Sequence, residues 1–152
     1  MEQPTPMQQI EQRLAAIPQA RAMALKLAAC DGESLLITAP LAPNINDKGH
    51  AFGGSLASLA TLAAWALVSI KLMEAGFDAE VYVQDSTIRY LAPLYDELRA
   101  EARLGPDQEW KDFLAAYTQK GKARATLIAQ LCSAEGGIAC AMEGRFVAKA
   151  KA

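Results

Sequence analysis

The apolar side chains near the start of the chain follow the spacing of a helix. Between residues 6 and 17 an apolar side chain recurs every three or four positions, at Met7, Ile10, Leu14 and Ile17. This spacing predicts a short amphipathic helix, which Pro18 ends. Residues 21–41 then predict two strands around Asp31-Gly32, because this dipeptide suits the positive dihedral angles of a tight hairpin turn.

A long segment without any charged side chain follows, from Gly53 to Ile70. It predicts an apolar helix over roughly residues 53–75, which Gly76 closes. Its length approaches the ~20 residues that cross a bilayer. However, much of it is alanine, serine and threonine, and the rest of the chain supplies enough strands to wrap it. We therefore interpret it as the buried core helix of a protein with no membrane span.

Beyond this helix the apolar pattern changes to the two-residue period of strands. Residues 97–104 alternate between two faces, with Leu98, Ala100, Ala102 and Leu104 on one and Glu97, Arg99, Glu101 and Arg103 on the other. Three more segments are typical of strands: residues 79–93, 122–136 and 137–150. The second half of the chain is therefore expected to form a sheet.

One helical stripe interrupts these strands. Within residues 105–121 the side chains of Trp110, Phe113, Leu114 and Tyr117 share one face, which predicts a surface helix or a lid at the mouth of a pocket. The order is therefore helix, two strands, long helix and then about four antiparallel strands. It predicts a single α+β domain over residues 1–152, with a curved antiparallel sheet wrapped around the long central helix.

Composition and charge narrow the classes of function. A hydrophobic content of 52% agrees with a sizeable core, and a formal net charge of −2 gives no basic footprint for nucleic acid. Three separated cysteines and a single histidine make a metal site improbable, and no sequence signal indicates a cofactor. The odd cysteine count and the absence of a secretory leader favour a reducing cytoplasm.

The candidate chemistry lies in "PNINDKGHAFGGS", residues 43–55, directly before the apolar helix. Turn-forming and polar side chains cluster here: Asn44, Asn46, Asp47, His50 and Ser55. Gly53 and Gly54 permit a close approach to the backbone that a Cβ atom would block. We interpret this loop as a ligand-binding site, although asparagine and aspartate also shape loops and Ser55 also suits a helix cap.

The loop and helix "PNINDKGHAFGGSLASLATLAAW", with "STIRYLAPLYDELRAEARL", resemble the hotdog-fold family catalogued as thioesterases. Some of its members form the C-terminal half of an acetyltransferase fusion, and some are malonyl-ACP decarboxylases. The resemblance covers nearly the whole chain. It implies a hotdog fold, a homodimer or tetramer with active sites at the dimer interface, and a thioester substrate of acyl carrier protein or CoA.

The usual hydrolytic groups of hotdog thioesterases are missing. In the better-known relatives a histidine precedes the glycine pair and an acid lies further along the helix, whereas this chain has Phe52 and Thr61 at those positions. Hydrolysis needs a base or a nucleophile. A nucleophile elbow around Ser55 is excluded, because Ala57 replaces its last glycine and the sole histidine precedes the serine. A thioesterase would have to use Asp47 or His50.

Decarboxylation of a malonyl thioester needs less, because the enolate that forms requires mainly hydrogen-bond donors at the thioester oxygen. The predicted catalytic donors are the Gly54 N–H, the Ser55 hydroxyl and the Asn46 amide, and removing either side chain should lower turnover by ~10²–10³. The predicted substrate-binding residues are Asn44, His50, Phe52 and Gly53. Phe52, Leu56 and Leu59 are expected to form an apolar wall that favours loss of CO2.

The preferred hypothesis is thus a decarboxylase that converts malonyl-ACP to acetyl-ACP and feeds the initiation of fatty-acid synthesis. The alternatives are a thioesterase and a non-enzymatic acyl-thioester sensor; hydratase chemistry has only Asp47 and His50 to support it. Acyl-chain preference, the choice of CoA or carrier protein and the role of Asp85 stay open. An acidic carrier would dock on basic side chains, for which the candidates are Arg89, Lys111, Lys120, Lys122 and Arg124.

Overall fold

A computed structural model describes residues 2–151 as four α-helices and six β-strands. The helices are α1 (Pro6–Ala15), α2 (Pro18–Ala22), α3 (Gly53–Glu74) and α4 (Trp110–Lys120). The strands are β1 (Lys26–Cys30), β2 (Ser34–Ala39), β3 (Ala79–Tyr90), β4 (Leu98–Leu104), β5 (Lys122–Cys132) and β6 (Ile138–Ala150). Every predicted element is present; the short helix α2, which begins at Pro18, was not predicted.

All six strands form one antiparallel sheet in the order β1-β2-β4-β5-β6-β3. The β1–β2 hairpin turns where predicted: Gly32 adopts φ +92°, and the N–H groups of Ser34 and Glu33 donate to the Asp31 carboxylate, which lowers the pKa of that carboxyl. β4 alternates as its sequence predicts, with Leu98, Ala100 and Ala102 buried. The predicted curved sheet around a central helix is confirmed.

Helix α3 is the centre of the fold. It has 22 residues, contacts strands β2 to β6 and is packed by α1 on another side. Four of its alanines are completely buried, Ala60, Ala63, Ala64 and Ala66, and these small side chains let the sheet approach the helix closely. By length and composition α3 could cross a membrane, but in this fold its apolar faces are covered by the sheet.

Helix α4 lies at the far end of α3. Tyr117 contacts Phe77 edge-on at 4.8 Å between ring centroids, and Lys71 lies 5.5 Å from the centroid of the Trp110 ring. A helix rises about 1.5 Å per residue, so Lys71 is roughly 27 Å along α3 from Gly53. α4 is therefore the surface helix that the sequence predicts, and it lies at the other end of α3 from residues 43–55.

Candidate active site

The polar loop before α3 folds back on itself as a small hairpin. The Asn46 N–H donates to the His50 carbonyl at 2.8 Å, and Gly49 makes the turn with φ +87°, a conformation that favours glycine. The Ala51 N–H donates to the Leu94 carbonyl at 2.8 Å. The loop is therefore fastened both to itself and to the segment that follows β3.

Asn44 connects three parts of the fold beneath this loop. Its side chain is buried, with 2% of its surface exposed. Both amide hydrogens are donated, one to the Met23 carbonyl at 2.9 Å and one to the Pro40 carbonyl at 2.7 Å. Its Oδ1 accepts the Ser55 hydroxyl at 2.8 Å. Asn44 thus joins the end of α2, the end of β2 and the first turn of α3.

These bonds change the roles that the sequence gave to Asn44 and Ser55. Asn44 was predicted to contact substrate, but both of its donors are engaged and it is shielded from solvent. If Ser55 turned its hydroxyl towards a substrate, the buried Oδ1 of Asn44 would lose its partner, at a cost of about 1–3 kcal/mol. Both side chains therefore brace the loop against α3 in this structure.

A cavity of about 500 Å³ opens where this loop, the first turn of α3 and the segment after β3 meet. Its lining consists of Asn46, Lys48, His50, Ala51, Gly53, Leu56, Tyr90, Leu91, Ala92 and Pro93. Three of the predicted site residues, Asn46, His50 and Gly53, therefore share one cavity, and Leu56 of the predicted apolar wall joins them. Phe52, Gly54 and Leu59 are absent from the lining, and Leu59 is fully buried in the core.

The amide of Asn46 is held in one orientation. Its Oδ1 accepts the N–H groups of Lys48 at 2.8 Å and His50 at 3.2 Å. Its Nδ2 lies 3.1 Å from Nδ1 of the His50 ring. Because an amide nitrogen only donates, Nδ1 is the acceptor, and the proton of a neutral imidazole is therefore on Nε2. The second Nδ2 hydrogen has no partner within residues 2–151.

The first turn of α3 adds backbone donors beside this amide. In the described part of the chain, the N–H groups of Gly53 and Gly54 have no acceptor, whereas those of the next two residues bond to the Phe52 carbonyl. A methyl group on Gly54 would lie 2.4 Å from the Phe52 ring, so this exposed side chain would have to move to accommodate it. On Gly53 it would lie 3.4 Å from the Tyr90 ring, an ordinary contact. The helix N-terminus also favours negative charge.

Sequence reasoning missed one wall of the cavity. Tyr90 ends β3, and Leu91, Ala92 and Pro93 follow it, far from the polar loop in sequence. The bond between Ala51 and Leu94 brings these two segments together. No local pattern indicates this pairing, because it depends on how the end of β3 is placed against α3.

The two candidate bases are poorly placed for hydrolysis. The Asp47 side chain is 81% exposed, pairs with Lys48 at 3.1 Å and does not line the cavity. The lone pair on Nδ1 of the neutral His50 ring already accepts a hydrogen bond from Asn46. Thr61, at the position where relatives carry an acid, donates to the Ala57 carbonyl at 2.8 Å. Among residues 2–151, no three histidine, cysteine, aspartate or glutamate side chains cluster closely enough to hold a metal ion.

Asp85 lies in a different and larger cavity of about 820 Å³ that contains residues of β3, β5 and β6. A β-bulge between Val83 and Asp85 shifts the register, and both of these residues are exposed. Arg145 donates two hydrogen bonds to it and lowers the pKa of the Asp85 carboxyl. Asp85 therefore braces β3 against β6 and offers no free base.

The basic side chains proposed for carrier docking are spread over the molecule. Lys111 and Lys120 lie on α4 at the far end of α3, and Lys122 and Arg124 lie on β5. Arg89 lines the other cavity, with Asp85, and as the residue before Tyr90 it points to the opposite face of β3. The cavity also contains Lys48, which the sequence did not suggest. The five candidates therefore do not form one patch at this site.

We expect Asn44→Ala and Ser55→Ala each to lower the free energy of unfolding by about 1–3 kcal/mol, because each leaves a buried polar partner unpaired. The double variant should cost less than the sum, since the two residues share one hydrogen bond. A double-mutant cycle in urea measures this coupling, with the partly exposed Ser58→Ala on the same helix as a control. Strictly additive losses would show that the shared bond contributes nothing.

Comparison with known proteins identifies the family. The family model described as "Putative thioesterase (yiiD_Cterm)" matches residues 7–150. A crystal structure of a protein of unknown function from Chlorobaculum tepidum is 31% identical, with a TM-score of 0.88 over 97% of this chain and 98% of that chain. A structure named "putative thioesterase" from Shewanella oneidensis is 27% identical, with a TM-score of 0.80 over 95% and 97%.

A more distant structure agrees on the fold. A protein named "Probable Thioesterase" from Pseudomonas aeruginosa is 22% identical, with a TM-score of 0.79 over 99% of this chain and 100% of that chain. The expected hotdog fold is confirmed by these neighbours. Because the family model spans nearly the whole chain, the protein belongs to the hotdog-fold family described as "Putative thioesterase (yiiD_Cterm)".

Proposed function

We propose that the protein is a cofactor-free decarboxylase that converts malonyl-ACP to acetyl-ACP and thereby feeds the initiation of fatty-acid synthesis. One observation carries the proposal. The lining of the cavity at the start of α3 contains hydrogen-bond donors and no carboxylate. Such a site suits a reaction in which charge develops on an oxygen without attack by water. The reaction is expected in the cytoplasm, as the cysteine content indicates.

Three donors are available for the proposed contact with the thioester oxygen. The free N–H groups of Gly53 and Gly54 and the second Nδ2 hydrogen of Asn46 have no acceptor among the described residues. In the reaction the bond between the α-carbon and the carboxylate breaks, and its electron pair becomes an enolate with its charge on the thioester oxygen. CO2 leaves, and the α-carbon then takes a proton from water.

The apolar residues of the lining favour departure of the carboxylate. Leu56, Leu91, Ala92 and Pro93 give that part of the cavity an apolar surface. An apolar surface destabilises a carboxylate more than neutral CO2, so it favours the products of the step. Asn44 and Ser55 contribute indirectly, because they hold the loop that carries Asn46 against α3.

A thioesterase is the second candidate, and the family description and the name of the Shewanella oneidensis relative favour it. Hydrolysis would need a base to activate water. His50 could act as that base only by giving up its bond to Asn46, and Asp47 would have to turn inwards from solvent. The arrangement of donors therefore supports decarboxylation better than hydrolysis.

The deciding experiment is to incubate the purified protein with malonyl-ACP and to follow the intact carrier by mass spectrometry. We expect loss of CO2 with the acetyl group still attached to the carrier. Free carrier thiol would instead establish a thioesterase. Binding without any change of mass would favour an acyl-thioester sensor. Malonyl-ACP incubated without protein gives the background rate.

Asn46 provides the sharpest test of the mechanism. Asn46→Asp retains the Oδ1 that accepts the two backbone N–H groups but has no N–H to donate. We expect this variant to lower kcat by about 10²–10³ while the protein stays folded, because one donor to the enolate is lost. Asn46→Ala should lose at least as much activity. Near-full activity in Asn46→Asp would contradict a role for this amide in stabilising the enolate.

We also propose that two copies of the chain pair through β3. This strand has 12 residues, lies at the edge of the sheet and exposes large apolar side chains at Tyr82, Val83 and Tyr90. An unpaired edge with exposed apolar side chains invites another strand. Because Tyr90 also lines the cavity, a partner on β3 would lie beside the site, and the homodimer expected from the family resemblance would have its sites at the interface.

Val83→Lys should therefore produce a monomer, because it places a charge on the apolar edge. Sedimentation velocity measures the change of mass. Thr118→Lys, on the exposed face of α4, is the control and should behave as the wild type. A dimer that survives Val83→Lys would place the interface elsewhere, and a larger wild-type species would indicate the tetramer.

A further inference from the structure

The single histidine of the chain contacts the proposed catalytic amide. Nδ1 of the His50 ring lies 3.1 Å from Nδ2 of Asn46, and both residues line the same cavity. The ring is partly buried, and its other neighbour is Tyr95, whose ring it meets edge-on at 5.4 Å between centroids. This contact determines which way one hydrogen of the amide points.

The Asn46 amide has no alternative orientation that satisfies as many hydrogen bonds. Its Oδ1 already accepts the N–H groups of Lys48 at 2.8 Å and His50 at 3.2 Å. If the amide turned over, its NH2 group would face those two N–H donors, and all three groups would be without an acceptor. Leaving such groups unpaired is costly in a partly buried site. The Asn46 amide therefore depends on an acceptor at Nδ1 of His50.

We propose that His50 is a positioning residue that fixes the Asn46 amide for donation to substrate only while its imidazole is neutral. The role in turnover rests on the proposed function, because it needs the second Asn46 hydrogen to reach the thioester oxygen. His50 itself touches Asn46 and takes no proton in the reaction. This differs from the general-base role that a thioesterase would require of it.

Protonation of the imidazole reverses the contact. A doubly protonated ring carries a hydrogen on Nδ1, so two donors would face each other at the Asn46–His50 contact. Asn46 must then turn or the loop must open, and either change displaces the catalytic amide. Histidine is the side chain whose charge ordinarily changes between pH 5 and 8. We therefore expect acidification to lower turnover.

Among the contacts that the imidazole makes with titratable or charged side chains, none competes with its hydrogen bond to Asn46. The titratable or charged side chains nearby are Asp47 and Lys48 from the same loop, Tyr90 from β3 and Tyr95 from the segment after it. Asp47 is paired with Lys48 at 3.1 Å. Within residues 2–151, the one side-chain hydrogen bond of the imidazole is that with Asn46.

Two substitutions of His50 separate its positioning of the Asn46 amide from its change of charge with pH. His50→Asn places a carbonyl oxygen close to the former Nδ1 and cannot be protonated there. His50→Phe retains a ring against Tyr95 but has no acceptor. In the wild type, kcat for malonyl-ACP should fall about tenfold per pH unit below the transition. His50→Asn should lose that fall and retain a clearly higher kcat than His50→Phe, which should lose about tenfold in kcat at all pH values with little change in KM.

The same contact can be observed without any substrate. Because the chain has one histidine, nitrogen NMR of the labelled protein shows a single imidazole. We expect the Nε2–H tautomer at pH 8, and on acidification the Asn46 side-chain amide should shift with the same midpoint as the ring. A mixture of tautomers, an unresponsive Asn46 amide, or a wild-type pH profile in His50→Asn would each overturn the proposal. Failure to decarboxylate malonyl-ACP would count against the proposed function alone, since the NMR result does not depend on it.

Discussion

The whole structure depends on covering one long apolar helix. α3 has no charged residue before Lys71, and twelve of its 22 residues are buried. Such a helix is stable in water only if protein surrounds it. The antiparallel sheet supplies that surround on one side, and α1 supplies it on another. The position of every other element, including the polar loop at the start of α3, follows from this requirement.

The candidate site lies at the start of α3, where the surrounding protein no longer covers the helix. A helix N-terminus has N–H groups that the helix itself cannot satisfy. Phe52 is the cap residue and makes no side-chain cap, so the N–H groups of Gly53 and Gly54 have no acceptor within residues 2–151. The buried Asn44–Ser55 pair meanwhile fixes the loop that carries Asn46. Rigid support behind free donors is what preorganised stabilisation of negative charge requires.

Much of the fold was predictable because the signals were local. The alternation of Leu98, Ala100 and Ala102 predicted β4, and the uncharged run after Gly53 predicted α3 almost to its ends. The short helix α2 was missed, because Pro18 ends one helix and begins the next, and five residues give no periodic pattern. The role of Asp85, left open by the sequence, depends on Arg145, which lies 60 residues later in the chain.

For the site, the sequence by itself determined which groups are available: an asparagine loop, a glycine pair at a helix start and no acid along that helix before its last residue, Glu74. These are matters of composition over a dozen neighbouring residues. Only the tertiary structure decided which of these groups is structural and which can contact a ligand. Hydrogen bonds over long sequence distances engage Asn44 with Met23 and Ser55, whereas Asn46 keeps one N–H donor without an acceptor among the described residues. It also brought Tyr90 and Pro93 to the cavity, since the path of β3 against α3 is set by packing of the whole sheet.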